Sequence, residues 1–366
     1  MTIATVGVVG AGTMGGGIAA VIAAAGLVTR LHDVDPAQLD RALEAARGFF
    51  RRQVEKGRLD DEAAAAAADR LRPAADLKAL AEADLVVEAV FEDRDLKARL
   101  FEQLGPILTR DAIVASNTSC LRISELARHL VAPERFLGLH FFSPAQVNPI
   151  VEVVQGETTS AATVATAIGF CERIGKTPLR CRDQYGFAIN RFFCPYTNEA
   201  ARLLDEGKGT TAQIDAVARD VLGVAAGPFQ VMNLIKPRIN LHAIRNLGPL
   251  GAFYAPADAM VRVGEADAAW PIGEAAALDA ALAATICDRL RAAVFLPVLE
   301  ALDEAVAAPV DIDRGARDAL KMARAPCALM DALGRTEVER LVAALARTHG
   351  VAVPRSVARV GTLLSR

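Results

Sequence analysis

Short apolar runs rich in β-branched residues alternate with amphipathic segments through the first half of the chain. The runs at residues 3–9, 28–32, 85–90, 112–116, 136–142 and 150–154 read as strands. Helix-like segments at 14–25, 36–56 with 60–70, 94–104 and 123–129 lie between the first five. The later runs are nearly continuous in Val, Ile, Leu and Phe, the pattern of strands buried on both faces of a parallel sheet. Such alternation predicts a doubly wound α/β domain. An alanine run at 63–68 sits inside a charged helical hairpin and reads as helix filler.

Past residue 182 the strand signals nearly vanish and the pattern turns helical, with breaks at Gly207, Gly209, Gly227-Pro228, Gly248, Gly251, Pro271 and Pro309. Compared with itself, this region aligns 190–234 with 288–332 without a gap, at an offset of 98 residues. Leu204-Asp205-Glu206 answers Leu302-Asp303-Glu304, Ile214-Asp215 answers Ile312-Asp313, and Pro228 and Met232 answer Pro326 and Met330. Chance likeness between alanine-rich helices does not run ungapped through several helices and loops, so a tandem duplication is expected. The predicted organisation is an α/β Rossmann-type doubly wound domain at 1–183, followed by two tandem all-α domains. These are a first helical domain at 184–286 and a second, degenerate helical repeat at 287–366.

Composition narrows the function classes. At 366 residues the chain can bury more than one core. Lys+Arg 41 against Asp+Glu 44 leaves a net charge of -3, so the whole-chain basic footprint of a nucleic-acid binder is missing. The six cysteines show no CxxC spacing, which points away from a zinc site or a disulfide scaffold and towards thiols in a reducing compartment. The apolar stretch at 3–25 is interrupted by Gly7, Gly10, Gly12 and Gly15 to Gly17, too many helix breakers for a membrane span or signal segment. A cytoplasmic protein with no membrane, nucleic-acid or metal partner is expected.

Gly10-Ala11-Gly12-Thr13-Met14-Gly15 is a G-x-G-x-x-G directly after a strand and directly before a helix. Gly10 permits the turn, Gly12 lets the backbone approach a pyrophosphate, and Gly15 allows close helix–strand packing. Thr13 and Met14 open the helix whose N-terminal N–H groups would meet the phosphates. Asp33 ends the second predicted strand, 21 residues after Gly12, where a carboxylate would hold a ribose 2′-hydroxyl and repel a 2′-phosphate. NAD is therefore the expected cofactor.

Five stretches coincide with one family: residues 10–19 (GAGTMGGGIA), 86–97 (VVEAVFEDRDLK), 116–119 (SNTS), 138–144 (GLHFFSP) and 186–191 (GFAINR). In consecutive order and spacing over residues 3–235 the chain resembles the 3-hydroxyacyl-CoA dehydrogenases. The tandem helical tail is similar to that of multifunctional fatty-acid oxidation proteins, which suggests fatty-acid metabolism and β-oxidation. The resemblance implies that His140 is the catalytic base and Glu152 its orienting carboxylate. It makes Ser119 and Asn190 donors to the substrate's C3 oxygen, with Ser119 also near the cofactor. Glu92 and Lys97 would line the cofactor, and Lys56 would contact the CoA moiety. Without it, His140 would read as a core histidine, Ser119 as a helix cap, and Glu92 with Lys97 as solvated charges.

Some positions depart from the family pattern. Phe49 stands where many relatives have a serine that touches CoA, Ser143 replaces an asparagine, Asn148 a pocket methionine, and Asn233 an aspartate. The duplicate carries Asp288 in place of Asn190 and no matching Gly-Phe-x-x-Asn-Arg, as in a copy that kept its fold and lost its site. The basic stretch Lys236, Arg238, His242 and Arg245 reads either as a phosphate or acidic-carrier contact or as a solvated helix face.

The expected activity is NAD-dependent interconversion of a (3S)-3-hydroxyacyl-CoA and its 3-oxoacyl partner. One alternative is a dehydrogenase for a hydroxyacyl group on an acyl carrier protein, or for a small polar hydroxy acid. A third reading is a non-catalytic NAD-binding protein of the same fold. Either a monomer with an internal pseudo-dimer or a homodimer is expected.

Overall fold

The computed structural model describes residues 2–365, and the chain divides into two compact units at Asp183/Gln184. In the first unit the strands are β1 (Thr5–Val9), β2 (Val28–His32), β3 (Leu71–Pro73), β4 (Leu85–Glu88), β5 (Ile113–Ser116), β6 (Phe136–Phe141), β7 (Ile150–Gln155) and β8 (Thr177–Arg182). Among the described residues they form an eight-stranded sheet in the order β3-β2-β1-β4-β5-β6-β7-β8. Strands β1 to β6 run parallel, β7 turns antiparallel to β6, and β8 lies parallel to β7. The expected parallel sheet is thus corrected at the β7–β8 edge. The two edge strands escaped the sequence reading, β3 for its brevity and β8 because its buried face holds only Leu179 and Cys181, in alternation with exposed Arg180 and Arg182.

Helices α1 (Thr13–Ala24), α2 (Pro36–Glu55), α3 (Asp61–Arg70), α4 (Arg94–Leu104), α5 (Ile123–Leu126) and α6 (Ala161–Arg173) complete this unit. The core joins Val6, Val8, Ile18 and Ile22 to Leu31, Val87, Ala115, Leu139 and Val153. Helix α1 owes its depth to small residues, since Gly15, Gly16, Gly17, Ala19 and Ala20 let it lie flat on the strands. Helix α6 was missed because β-branched Thr163, Val164, Thr166 and Ile168 mask its helical period.

The second unit is helical: α7 (Asn190–Asp205), α8 (Thr211–Leu222), α9 (Pro228–Ile235), α10 (Pro237–Asn246), α11 (Asp258–Ala266), α12 (Ala280–Asp303), α13 (Pro309–Asp318), α14 (Pro326–Leu333) and α15 (Arg335–His349). Long helix α12 packs against α7, α8 and α15 and buries every residue from Ala292 to Leu299. The expected boundary between 286 and 287 falls inside α12, where a continuous helix and the buried Ile286 leave no linker.

The sequence repeat reappears in the backbone. Positive φ recurs at the same offset at Gly207 and Ala305 (65° and 52°), at Gly223 and Lys321 (64° and 56°), and at Lys236 and Gly334 (92° and 80°). Asp215 accepts from the N–H groups of Phe229 and Gln230 at 2.8 and 3.2 Å. Its counterpart Asp313 accepts from those of Cys327 and Ala328 at 2.7 and 2.9 Å. Val224 and its counterpart Met322 form an antiparallel bridge with each other. Equivalent residues meet in this way only beside a two-fold relation.

Candidate active site

The parallel strands end on one side of the sheet, and the predicted site residues of the first unit other than Lys56 lie at or beside those ends. Gly10 follows β1, Asp33 follows β2, Glu92 and Asn117 follow β4 and β5, and His140 is the last but one residue of β6. Strands β1 and β4 are neighbours at the point where the strand order reverses, the usual place for a ligand in such sheets.

The glycine-rich turn fits a dinucleotide. Gly10 has a φ of 100°, and a Cβ there would come within 2.6 Å of the Ala89 carbonyl oxygen. At Gly15 a Cβ would press to 1.7 Å from the Gly10 carbonyl oxygen, whereas at Gly12 it would meet nothing closer than 3.9 Å. Gly10 and Gly15 serve close packing, and Gly12 opens onto space. Helix α1 begins at Thr13 and Met14 with no side-chain cap and no acid in its first turn, so no acid of its own competes for its N-terminus. Asp33 Oδ2 accepts from the N–H of Ala11 at 2.6 Å, and its Oδ1 accepts from that of Asp35 at 2.9 Å. Each carboxylate oxygen keeps a second lone pair for a ribose hydroxyl.

Antiparallel pairing of β6 with β7 puts His140 directly opposite Glu152. Their contact is short, with Nδ1 and Oε2 2.6 Å apart, and the residues are 4% and 0% exposed. An ionised carboxylate only accepts, so Nδ1 carries the hydrogen and the lone pair is on Nε2. The Phe142 ring lies 4.5 Å from the imidazole, centre to centre.

Beside this dyad the loop carrying Ser119 is held by a buried charge network. Glu92 Oε1 accepts from the Thr118 hydroxyl at 2.5 Å and from the N–H of Ser119 at 2.8 Å. Asn117 Oδ1 accepts from the N–H of Phe141 at 2.9 Å, joining the same loop to the strand of His140. Lys97 is 1% exposed, with Nζ 2.6 Å from Glu88 and 3.2 Å from Glu92. Burial acts to lower its pKa, but the two carboxylates outweigh that and hold it above the ordinary range. Burial raises the Glu88 pKa, while Glu92 is held low against burial by Lys97 and its hydrogen bonds. Glu92 and Lys97 are therefore no solvated scatter, and a cofactor contact from Lys97 would have to be made alongside these pairs. Glu88, Ser116 and Thr118 lie in the quoted stretches, but the sequence reading gave them no role, since each sits in or beside an apolar strand. Ser116 gives its hydroxyl to Glu88 at 2.5 Å.

Ser119 does not cap the following helix, because Asp183 accepts from the N–H groups of Ile123 and Ser124 at 2.9 and 2.8 Å. Buried Lys176, which the sequence reading passed over, donates to the carbonyls of Ala145 and Asn148 at 2.6 and 2.7 Å and fastens the loop between β6 and β7. Lys56 is exposed at the end of α2, and Phe49 is half-buried against Phe50. In the second unit Asn190 opens α7. Asn233 accepts from the N–H of Trp270 at 2.7 Å and donates to its carbonyl at 2.9 Å, a two-way contact that an aspartate could not complete. Arg238 and Arg245 are exposed and pair with Asp267 and Glu265, as a solvated helix face does.

Comparison with known proteins identifies the family. The family model for the 3-hydroxyacyl-CoA dehydrogenase NAD binding domain matches residues 5–184, and that for the C-terminal domain of the same family matches 186–269. A 3-hydroxyadipyl-CoA dehydrogenase of Escherichia coli is 39% identical over 240 residues, which is 66% of this chain and 50% of that protein. The chain thus spans about half the length of that curated relative. A crystal structure of 3-hydroxybutyryl-CoA dehydrogenase from Escherichia coli K12 superposes with a TM-score of 0.88 at 26% identity, covering 100% of this chain and 99% of that one. The (S)-3-hydroxybutyryl-CoA dehydrogenase of Ralstonia eutropha gives 0.71 at 31% identity over 75% of this chain and 100% of its own. With an NAD-binding sheet, a helical tail and both models matching in sequence order, the chain belongs to the 3-hydroxyacyl-CoA dehydrogenase family.

Proposed function

We propose that the protein interconverts a (3S)-3-hydroxyacyl-CoA and the corresponding 3-oxoacyl-CoA, with NAD as cofactor. The observation that carries this reading is the buried contact between His140 Nδ1 and Glu152 Oε2 at 2.6 Å. Gly12, Thr13, Met14 and Asp33 would hold the dinucleotide, which when bound accepts or returns the hydride of the substrate's C3. His140 takes the hydroxyl proton on Nε2 as the alkoxide develops, and Glu152 stabilises the imidazolium that results. Ser119 and Asn190 donate to the C3 oxygen, stabilising the charge that builds there. Glu92 and Lys97 keep the Ser119 loop in place, and Lys56 is an exposed cation available to the CoA phosphates.

Substrate choice is tested by following NADH consumption with acetoacetyl-CoA, acetoacetyl-acyl carrier protein and free acetoacetate. Preference for the CoA thioester supports the proposal. Turnover confined to the carrier-bound or free acid would replace it, and Phe49 and Asn148 would then be the positions to examine. The matched ends of the two helical copies at Val224 and Met322 support an internal pseudo-dimer. A monomer in sedimentation would agree with it.

A further inference from the structure

The two helical copies exchange ion pairs. Arg191 and Arg289 are counterparts at the offset of 98, as are Glu206 and Glu304. Arg191 on α7 meets Glu304 with Nη1 and Nη2 at 3.1 and 2.6 Å, and Arg289 on α12 meets Glu206 at 2.5 Å through Nη1 and Glu199 at 2.5 Å through Nε. Each arginine therefore takes its acid from the other copy. One of the two follows Asn190 in sequence, whereas the other follows Asp288, which is engaged 2.8 Å from Arg340.

We propose that Glu304, in the copy that has no site of its own, is a positioning residue: its fork with Arg191 fixes the first turn of α7 and with it the Asn190 amide. The inference rests on the reading of Asn190 as a donor to the reacting oxygen. Arg191 has little freedom of its own, being 1% exposed. Its guanidinium lies 3.9 Å from Glu300 and 5.9 Å from the centre of the Tyr254 ring, and the Tyr254 hydroxyl donates to Glu300. Its backbone N–H donates to the Gly186 carbonyl at 2.9 Å. The intervening turn is tight, with φ of 76° at Gly186 and 49° at Phe187. A side chain clamped at 191 thus fixes the turn and the residue before it. Burial disfavours the Arg191 charge, but Tyr254, Glu304 and Glu300 more than offset that. A bidentate arginine fork also sets direction in a way that a point charge does not.

The mirror pair supplies the control. Glu206→Gln breaks the counterpart contact beside Asp288 and away from Asn190, leaving Arg289 its second acid Glu199, and Glu304→Gln breaks the one beside Asn190. Full-length proteins would be compared by hydrogen exchange of peptides covering 186–194 and by kcat and KM for acetoacetyl-CoA with NADH. Glu304→Gln is expected to speed exchange across 186–194 about tenfold more than Glu206→Gln does. Its kcat should fall about tenfold or more with KM little changed, while Glu206→Gln stays within about twofold of the parent. Glu304→Asp, which keeps the charge, should recover part of the loss. Should Glu304→Gln fail to fold, Arg191→Lys gives the same comparison, since it keeps the charge and loses the fork. Equal exchange at 186–194 in the two variants, or a kcat unaffected by Glu304→Gln, would overturn the inference. A parent protein with no thioester turnover would sink the proposed function instead, and the exchange comparison would still decide this one.

Discussion

His140 and Glu152 are twelve residues apart in sequence and face each other across the antiparallel pair β6 and β7. The reversal of β7 brings a carboxylate from the next strand onto the end of β6, where a further parallel strand would have put its own C-terminal end. Glu152→Gln keeps the shape but offers an amide that can donate to Nδ1, so the wrong tautomer becomes accessible. We predict a fall in kcat of about 10²- to 10⁴-fold with NADH affinity retained. Steady-state kinetics and a fluorescence titration would check it, and a loss confined to cofactor binding would contradict it.

Asp33 is held by two backbone N–H groups before any ligand arrives, at 2.6 and 2.9 Å. Removing its carboxylate deletes a charged acceptor worth about 1.5–3 kcal/mol. Asp33→Ala should therefore weaken NADH binding about tenfold or more and narrow the preference over NADPH. Parallel titrations with the two cofactors measure both effects, and unchanged discrimination would count against this role.

The duplicated helical copies should respond alike where their caps are alike. Asp215 and Asp313 each accept two N–H groups at the start of a helix, at 2.8 and 3.2 Å and at 2.7 and 2.9 Å. Burial raises the pKa of both carboxyls, and the backbone hydrogen bonds oppose it. Asp215→Ala and Asp313→Ala should each cost about 1–2 kcal/mol in chemical denaturation. A large loss at one position and none at the other would show that the copies do not carry equal weight.

Buried Lys176 predicts a stability change at alkaline pH. Burial lowers its pKa from 10.5 to about 8. Between those values the unfolded chain binds a proton that the folded chain lacks, so raising the pH through this window favours folding. The neutral amine still donates to Ala145 and Asn148. The stability advantage of the parent over Lys176→Met should widen from pH 8 towards 10.5, measured as the difference in denaturation midpoints. A gap that narrows would contradict this assignment.

Much of the fold was legible because its signals are local. The glycine turn after β1, the acid after β2 and the His-Phe-Phe stretch each sit at a strand end, where apolar runs break off sharply. The repeat was legible because several of its identities, Glu206 with Glu304, Pro228 with Pro326 and the capping Asp215 with Asp313, fall at or hold helix ends. The network beneath the Ser119 loop was not. Glu88 and Ser116 occupy register partners on β4 and β5, and nothing in either strand alone reveals that they meet. Pairing of Arg191 with Glu304 was equally hidden, since two-fold exchange appears only when both copies are seen together.

The central claim, that His140 is the base of an NAD-dependent dehydrogenase, is tested most directly by NADH consumption with acetoacetyl-CoA. The parent protein and His140→Ala would be compared alongside a binding titration for NADH. The account predicts turnover by the parent, a loss of about 10²- to 10⁴-fold in the variant, and similar NADH affinity in both. A variant that turns over as fast as the parent, or a parent that binds NADH and leaves the thioester untouched, would contradict it.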